Sequence, residues 1–273
     1  MTKTILITGT SSGYGKATAQ YFLDRGWNVV AAMRRPDPAL FAPSDRLKLV
    51  RLDVTDAASI NRALADAVIA FGAIDVLVNN AGIGLASAFE ATPDATIREL
   101  FETNTFGTFA MCHAIIPILR RQGGGTIVNV TSSVTLGVMP LVAPYAASKC
   151  AVEGFTESLA YELEPFGIRT RLVEPGYGPT TSFTANGGAR MEGLIPPDYQ
   201  AFAQAAFANM ADYPTAYCTE AEVAEAVFAA AAEEGPRLRF PAGADSLMLS
   251  ELRWTAGEDA YQARMRAMFG PAA

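Results

Sequence analysis

The sequence predicts a doubly wound α/β fold: one domain of 273 residues, with a mostly parallel sheet and helices on both faces. Three observations predict it. Short apolar runs alternate with amphipathic stretches over the first two thirds of the chain, the pattern of βαβ units. A glycine-rich turn follows the first apolar run directly. Half of the residues are hydrophobic and 18% are charged, so the chain can bury one sizeable core. Right-handed crossovers then leave few topologies.

In chain order, strands are predicted at Ile5 to Thr8, Asn28 to Met33, Leu47 to Leu52, Val76 to Asn79, Thr126 to Thr131 and Thr170 to Val173. Helical patterns fill the gaps at Lys16 to Arg25, Ala57 to Phe71, Thr96 to Arg121 and Ala146 to Phe166. Glycines punctuate their ends at Gly26, Gly72 and Gly123 to Gly125. After Pro175-Gly176 the pattern loosens into a loop-rich excursion, from about 181 to 217, which is expected to cover a substrate. A helix at Glu220 to Glu233 and a short strand at Arg237 to Phe240 follow. The tail from about 245 to 273 is amphipathic but weakly specified.

The composition excludes several classes. The net charge is −7, and no dense cluster of Lys and Arg offers a nucleic-acid groove. The single histidine, His113, cannot anchor a typical zinc site. Three distant cysteines, Cys112, Cys150 and Cys218, suit reduced thiols and a cytoplasmic setting. No secretory leader precedes the first strand, and no apolar stretch is long enough to span a membrane.

The turn Gly9-Thr10-Ser11-Ser12-Gly13-Tyr14-Gly15 joins the first strand to the first helix. Glycines there allow a tight turn, close approach to a pyrophosphate and close helix–strand packing. Free N–H groups at the helix start favour phosphate. A P-loop does not fit: Gly9 to Gly15-Lys16 is one residue too long, and Ala17 cannot ligate magnesium. GxGxxG does not fit either, whereas GxxxGxG does. At the end of the second strand, Met33-Arg34-Arg35 holds no carboxylate for a ribose 2′-hydroxyl. Arg34 offers a planar fork to a 2′-phosphate instead, which favours NADP(H) over NAD(H).

Tyr145-Ala146-Ala147-Ser148-Lys149 sets a phenol and an ammonium four residues apart, on one helix face. A free tyrosine titrates near about 10, and lowering it by about three units needs roughly 4 kcal/mol of differential interaction. The adjacent cation is expected to supply part of that, making Tyr145 a proton donor to a carbonyl or a base toward an alcohol. Ser132 stands 13 residues earlier, at a strand end, where its hydroxyl can steady a developing oxyanion. Strand alternation turns its neighbour Ser133 the other way.

These motifs, in this order and spacing, resemble the classical branch of the short-chain dehydrogenase/reductase family over residues 3 to 180, and more loosely to about 243. Within that branch the chain is most similar to the 17β-hydroxysteroid and retinol dehydrogenase-like members. The resemblance implies a Rossmann-type fold and a nicotinamide cofactor. It implies that Asp53 and Val54 contact adenine, although Asp53 could equally cap the following helix. Asn80, Ala81 and Gly82, within Asn79-Asn80-Ala81-Gly82, would line the adenosine side and brace the sheet. Lys149 would also bind the nicotinamide ribose, and Asn104 would distort its helix and help hold a water leading to Lys149. Pro175, Gly178 and Thr180 match PGxxxT, which holds the carboxamide. Tyr14 departs from the usual Ile or Leu and is expected to turn away from the phosphates.

The excursion carries Phe183, Met191, Leu194, Ile195, Tyr199, Phe202, Phe207 and Met210, which either face an apolar substrate or pack the lid onto the domain. Arg190 is its one nearby cation. A non-catalytic NADP(H) sensor on the same fold is the alternative, and it would be free to lose Ser132, Tyr145 or Lys149. By resemblance, the long helices form a dimer-making interface, with homodimer and homotetramer both open.

Overall fold

Seven parallel strands lie in the order β3-β2-β1-β4-β5-β6-β7 in a computed structural model that describes residues 2–179, 181, 190–211 and 216–270. They are β1 (Thr4–Thr8), β2 (Asn28–Met33), β3 (Leu47–Arg51), β4 (Val76–Asn79), β5 (Gly125–Val130), β6 (Ile168–Pro175) and β7 (Arg239–Ala242). The order reverses between β1 and β4, the point where doubly wound sheets place their ligands. Every residue of β1 and β4 is buried, because helices cover both faces.

On one face, α1 (Gly13–Asp24) packs with α7 (Glu220–Ala232) around Phe22, Val29, Val128, Val173 and Val227. On the other, α2 (Ala57–Phe71), α4 (Gly107–Gln122) and α5 (Ala143–Leu163) bury Leu6, Val30, Leu77, Met111, Ile115 and Ile127. Alternate residues of one strand thus feed two cores, as the pleat requires. A capping box starts α7: Thr219 Oγ1 accepts from the Glu222 amide at 3.2 Å, and Glu222 Oε2 accepts from the Thr219 amide at 2.8 Å.

Four expectations change. The helix expected over 96–121 is α3 (Asp94–Phe101), a π-helical turn (Glu102–Phe106) and then α4. Residues 164–166 leave α5 as a 3-10 turn because Pro165 cannot continue the ladder. The last strand begins two residues late, at Arg239, where its pairing with Leu172 of β6 starts. Within the loop-rich excursion, residues Pro197–Ala211 form a helix, α6, and the weakly specified amphipathic tail forms two, α8 (Ala244–Thr255) and α9 (Glu258–Phe269). The tail folds because Leu249, Tyr261, Met265 and Phe269 share an apolar cluster with Leu136. That partner was invisible in the local pattern.

Candidate active site

The carboxyl ends of the strands open onto a cleft of about 1210 Å³. The glycine loop forms one wall. Gly9 has φ +74°, and a side chain on it would meet the Ala81 backbone at 2.9 Å. A side chain on Gly15 would strike the Asn80 amide and the Gly9 carbonyl. Asn80 braces the loop directly, its Nδ2 donating to Thr8 O at 2.9 Å and Gly9 O at 3.3 Å. Thr8 Oγ1 in turn accepts from the amides of Asn80 and Ala81. Ser12 occupies the N-cap of α1 without a side-chain cap, leaving the first-turn amides open to an anion. Ser11, Gly13 and Gly82 line the same wall.

Tyr14 does not simply turn away, as expected. Its hydroxyl donates to Gly176 O at 3.1 Å and stands against Gly178, so it ties the glycine loop to the end of β6. Burial, followed by the nearby Cys218 and Asp245, pushes the phenol above its ordinary range. Pro175 and Gly178 line the cleft, while Thr180 and Phe183 lie outside the described residues.

Arg34, exposed, lines the cleft together with Asp53 and Val54. Asp53 does not cap α2; Asp56 does, accepting from the amides of Ala58 and Ser59. Asp53 accepts from the Thr55 amide instead. That bond holds its carboxyl below the usual range against partial burial, with help from the Thr55 hydroxyl, Arg34 and Arg51.

Ser132, Tyr145 and Lys149 line the same cleft. Ser132 begins a 3-10 turn after β5, and its hydroxyl bonds the Tyr145 phenol. Ser133 also borders the cleft but is buried. Lys149 Nζ, buried, donates to Val130 O at 3.1 Å. Burial pushes Tyr145 up to about 12, with the Ser132 bond pulling down, opposite to the expected direction. Burial also pushes Lys149 down to about 8, while Glu153 one turn further opposes it. Desolvation outweighs the expected attraction of ammonium for phenolate.

Asn104 sits in the π-helical turn and does not line the cleft. Its Oδ1 accepts from the Ile83 amide at 2.8 Å, and its Nδ2 donates to Ile83 O at 2.9 Å and Ser148 Oγ at 3.2 Å. A side chain on Gly82 would meet Asn104 Oδ1 at 3.2 Å and Lys149 Nζ at 3.5 Å, so Gly82 leaves the space between them.

The far end of the cleft is apolar: Val134, Met139, Val142, Met191, Phe207, Met210 and Phe269. Leu194, Ile195, Tyr199 and Phe202 instead pack the excursion onto Leu85, Ala88 and Leu141. Arg190 pairs with Glu99 at 3.1 Å, which offsets the cation noted in the sequence. The sequence did not point to Met139, Val142 or Phe269. The only signal for Phe269 was the amphipathic tail, whose direction depends on long-range packing.

The profile of the family described as short chain dehydrogenase matches residues 3–190. Over 280 aligned residues the chain is 35% identical to the oxidoreductase YusZ of Bacillus subtilis strain 168, covering 96% of this chain and 98% of that one. It is 38% identical to a 3-ketodihydrosphingosine reductase of Bacteroides thetaiotaomicron, over 67% of this chain and 66% of the relative. It is 39% identical to retinol dehydrogenase 8 of Bos taurus, over 64% and 58% respectively. Among solved structures, a short chain dehydrogenase of Burkholderia cenocepacia J2315 in complex with NADP superimposes with TM-score 0.75 at 26% identity, covering 97% of each chain. One of Burkholderia phymatum in complex with NAD gives 0.76 at 27%, covering 92% of each. Fold and site define an oxidoreductase scaffold that takes a nicotinamide dinucleotide. The chain belongs to the short-chain dehydrogenase/reductase family.

Proposed function

We propose that the chain is an NADP(H)-dependent oxidoreductase that interconverts an apolar ketone or aldehyde with its alcohol, using Tyr145 as general acid/base. The observation that carries this reading is the meeting of Ser132, Tyr145 and Lys149 in one cleft, facing the glycine loop. The donor set fits a dinucleotide. The open first-turn amides of α1 suit a pyrophosphate, Asp53 and Val54 suit adenine, and the exposed Arg34 suits a 2′-phosphate.

Bound there, NADP(H) supplies or accepts the hydride. Tyr145 gives its proton to the carbonyl oxygen during reduction, and takes the alcohol proton during oxidation. Ser132 holds that oxygen by a hydrogen bond that strengthens as negative charge develops. Lys149, held by the Val130 carbonyl, anchors the ribose hydroxyls and stabilises the phenolate. In the chain alone burial holds Tyr145 up to about 12, and the positive charge of the oxidised ring, once bound, would favour the phenolate and bring it down. Pro175, Gly178 and Thr180 hold the carboxamide.

The segment 181–217 and the tail 245–273 cover the substrate; Met191, Phe207, Met210 and Phe269 support an apolar partner. The exposed Phe106, Tyr161 and Phe166 on or beside α4 and α5 support a homo-oligomer. Among the described residues no helix is long and apolar enough to cross a membrane, and three free thiols suit the cytoplasm.

A screen of apolar ketones and alcohols, followed by NADPH and NADH absorbance in parallel, tests the reading. Turnover with NADPH that exceeds turnover with NADH is expected. Tyr145→Phe should then lose about a thousandfold in kcat while still binding NADPH. Full turnover in that variant would remove the proton-donor assignment.

A further inference from the structure

We propose that Glu153 is a positioning residue for Ser132, held in place by Arg239; this rests on the catalytic reading above. Tyr145, Lys149 and Glu153 follow one another at four-residue steps along α5, so all three share a face. Glu153 is buried and does not line the cleft. Its Oε1 accepts from Thr131 Oγ1 at 3.0 Å and from Thr135 Oγ1 at 2.5 Å. Those threonines bracket Ser132, one residue before it and three after. Thr135 Oγ1 also lies 2.7 Å from Ser132 O, so its single proton is shared between the serine's carbonyl and the Glu153 carboxylate and keeps the two close together.

The other oxygen of Glu153 accepts from Arg239 Nη1 at 2.6 Å. The same nitrogen reaches Glu174 at the end of β6, and Nη2 reaches Glu157 on α5. One guanidinium from β7 thus ties β6 and α5 to the turn that carries Ser132. Placing a carboxylate trio and an arginine below the site is a poor source of stability, since desolvation offsets much of the attraction. Fixing the geometry of a short turn is the use that such a network serves well. Without it, the Ser132 turn relies on Val134 N donating to Ser132 Oγ at 3.3 Å and Thr135 N donating to Ser132 O at 3.1 Å.

The carboxylate acts on Lys149 as well, favouring its charged form. Around Lys149, Glu153 and Tyr145 are the titratable groups of its own helix, while the Val130 carbonyl of β5 and the neutral Asn104 of the π-helical turn face it. Glu153 thereby sets the place of the oxyanion donor and the proton affinity of the lysine together.

The test uses the full chain, NADPH and the ketone turned over fastest in the screen. Thr135→Val, nearly isosteric, should lower kcat about tenfold, leaving KM for NADPH and the melting temperature near the parent's. Thr135→Ser should restore most of the loss. Glu153→Gln should move the alkaline limb of the kcat profile to lower pH, because Lys149 then sheds its proton earlier. A kcat for Thr135→Val within about twofold of the parent overturns the proposal. So does a Thr135→Ser variant as slow as Thr135→Val, an equal loss in NADPH affinity and melting temperature, or an unmoved alkaline limb. If Tyr145→Phe also keeps full activity, or no ketone is reduced, the catalytic reading has failed and takes the inference with it. If Tyr145→Phe is inactive while Thr135→Val is normal, only the inference has failed.

Discussion

The two walls of the cleft are built by different means. The glycine-loop wall is held by backbone: Gly9 and Gly15 pass within contact of Ala81 and Asn80, and Thr8 and Asn80 bond main-chain groups across β1 and β4. The apolar part of the cleft is made of side chains from segments far apart in sequence, with Met139, Met210 and Phe269 converging from a loop, α6 and α9. A backbone wall accepts one cofactor shape and little substitution. A methionine-rich wall can refill its own gaps, since the thioether chain is unbranched and adaptable. The difference teaches where this chain is free to vary: the glycine-loop side is fixed by close backbone contact, and the methionine-lined side can be refilled.

The strongest way to break that contrast is Gly15→Ala. The new methyl group meets the Asn80 amide and the Gly9 carbonyl, neither of which can move without disturbing β1. An overpacking cost of about 3 kcal/mol is expected, which is about a hundredfold in NADPH affinity if drawn from binding. Fluorescence titration of NADPH measures it, and unchanged affinity would show that the loop yields as readily as the far wall.

Arg34→Ala should have an intermediate effect. A charge-assisted bond to a 2′-phosphate is worth about 1.5 to 3 kcal/mol, so NADPH affinity should fall at least about tenfold. NADH affinity should stay put. An equal loss for both cofactors would mean that Arg34 acts through Asp53 rather than on the phosphate.

Phe269→Leu should have the smallest effect. It alters one apolar contact at the far end of the cleft, so kcat/KM ratios between short and long ketones should shift by about fivefold. Kinetics across a homologous ketone series reads this. A large loss for every ketone would instead assign Phe269 a role in holding the wall together.

Much of the cofactor wall was legible because it is local. The strand–turn–helix at residues 4 to 24 follows from a short apolar run, three glycines and an amphipathic stretch, all within reach of neighbour-by-neighbour rules. The Tyr145/Lys149 pair was legible for the same reason, being one helical turn apart. The direction of its proton affinities was not. Four-residue spacing places an ammonium near a phenol, but it says nothing of how far both are removed from water, and that removal raises Tyr145 and lowers Lys149. Likewise Asp53 was equally plausible as an adenine contact or as the helix cap, and the structure gives the cap to Asp56.

By itself, then, the sequence determined the doubly wound sheet, the glycine loop, and the residue types that stand at the strand ends, since periodicity and turn chemistry act over a few residues. Only the tertiary structure decided that the tail is two helices bringing Asp245 and Phe269 to the cleft, that Tyr14 bonds the end of β6, and that Arg239 links Glu153, Glu174 and Glu157 beneath Ser132. Each of these joins residues 65 or more positions apart, or makes a helix worth forming through a distant apolar partner. Burial and long-range contact are sums over the whole fold, and no local pattern carries them.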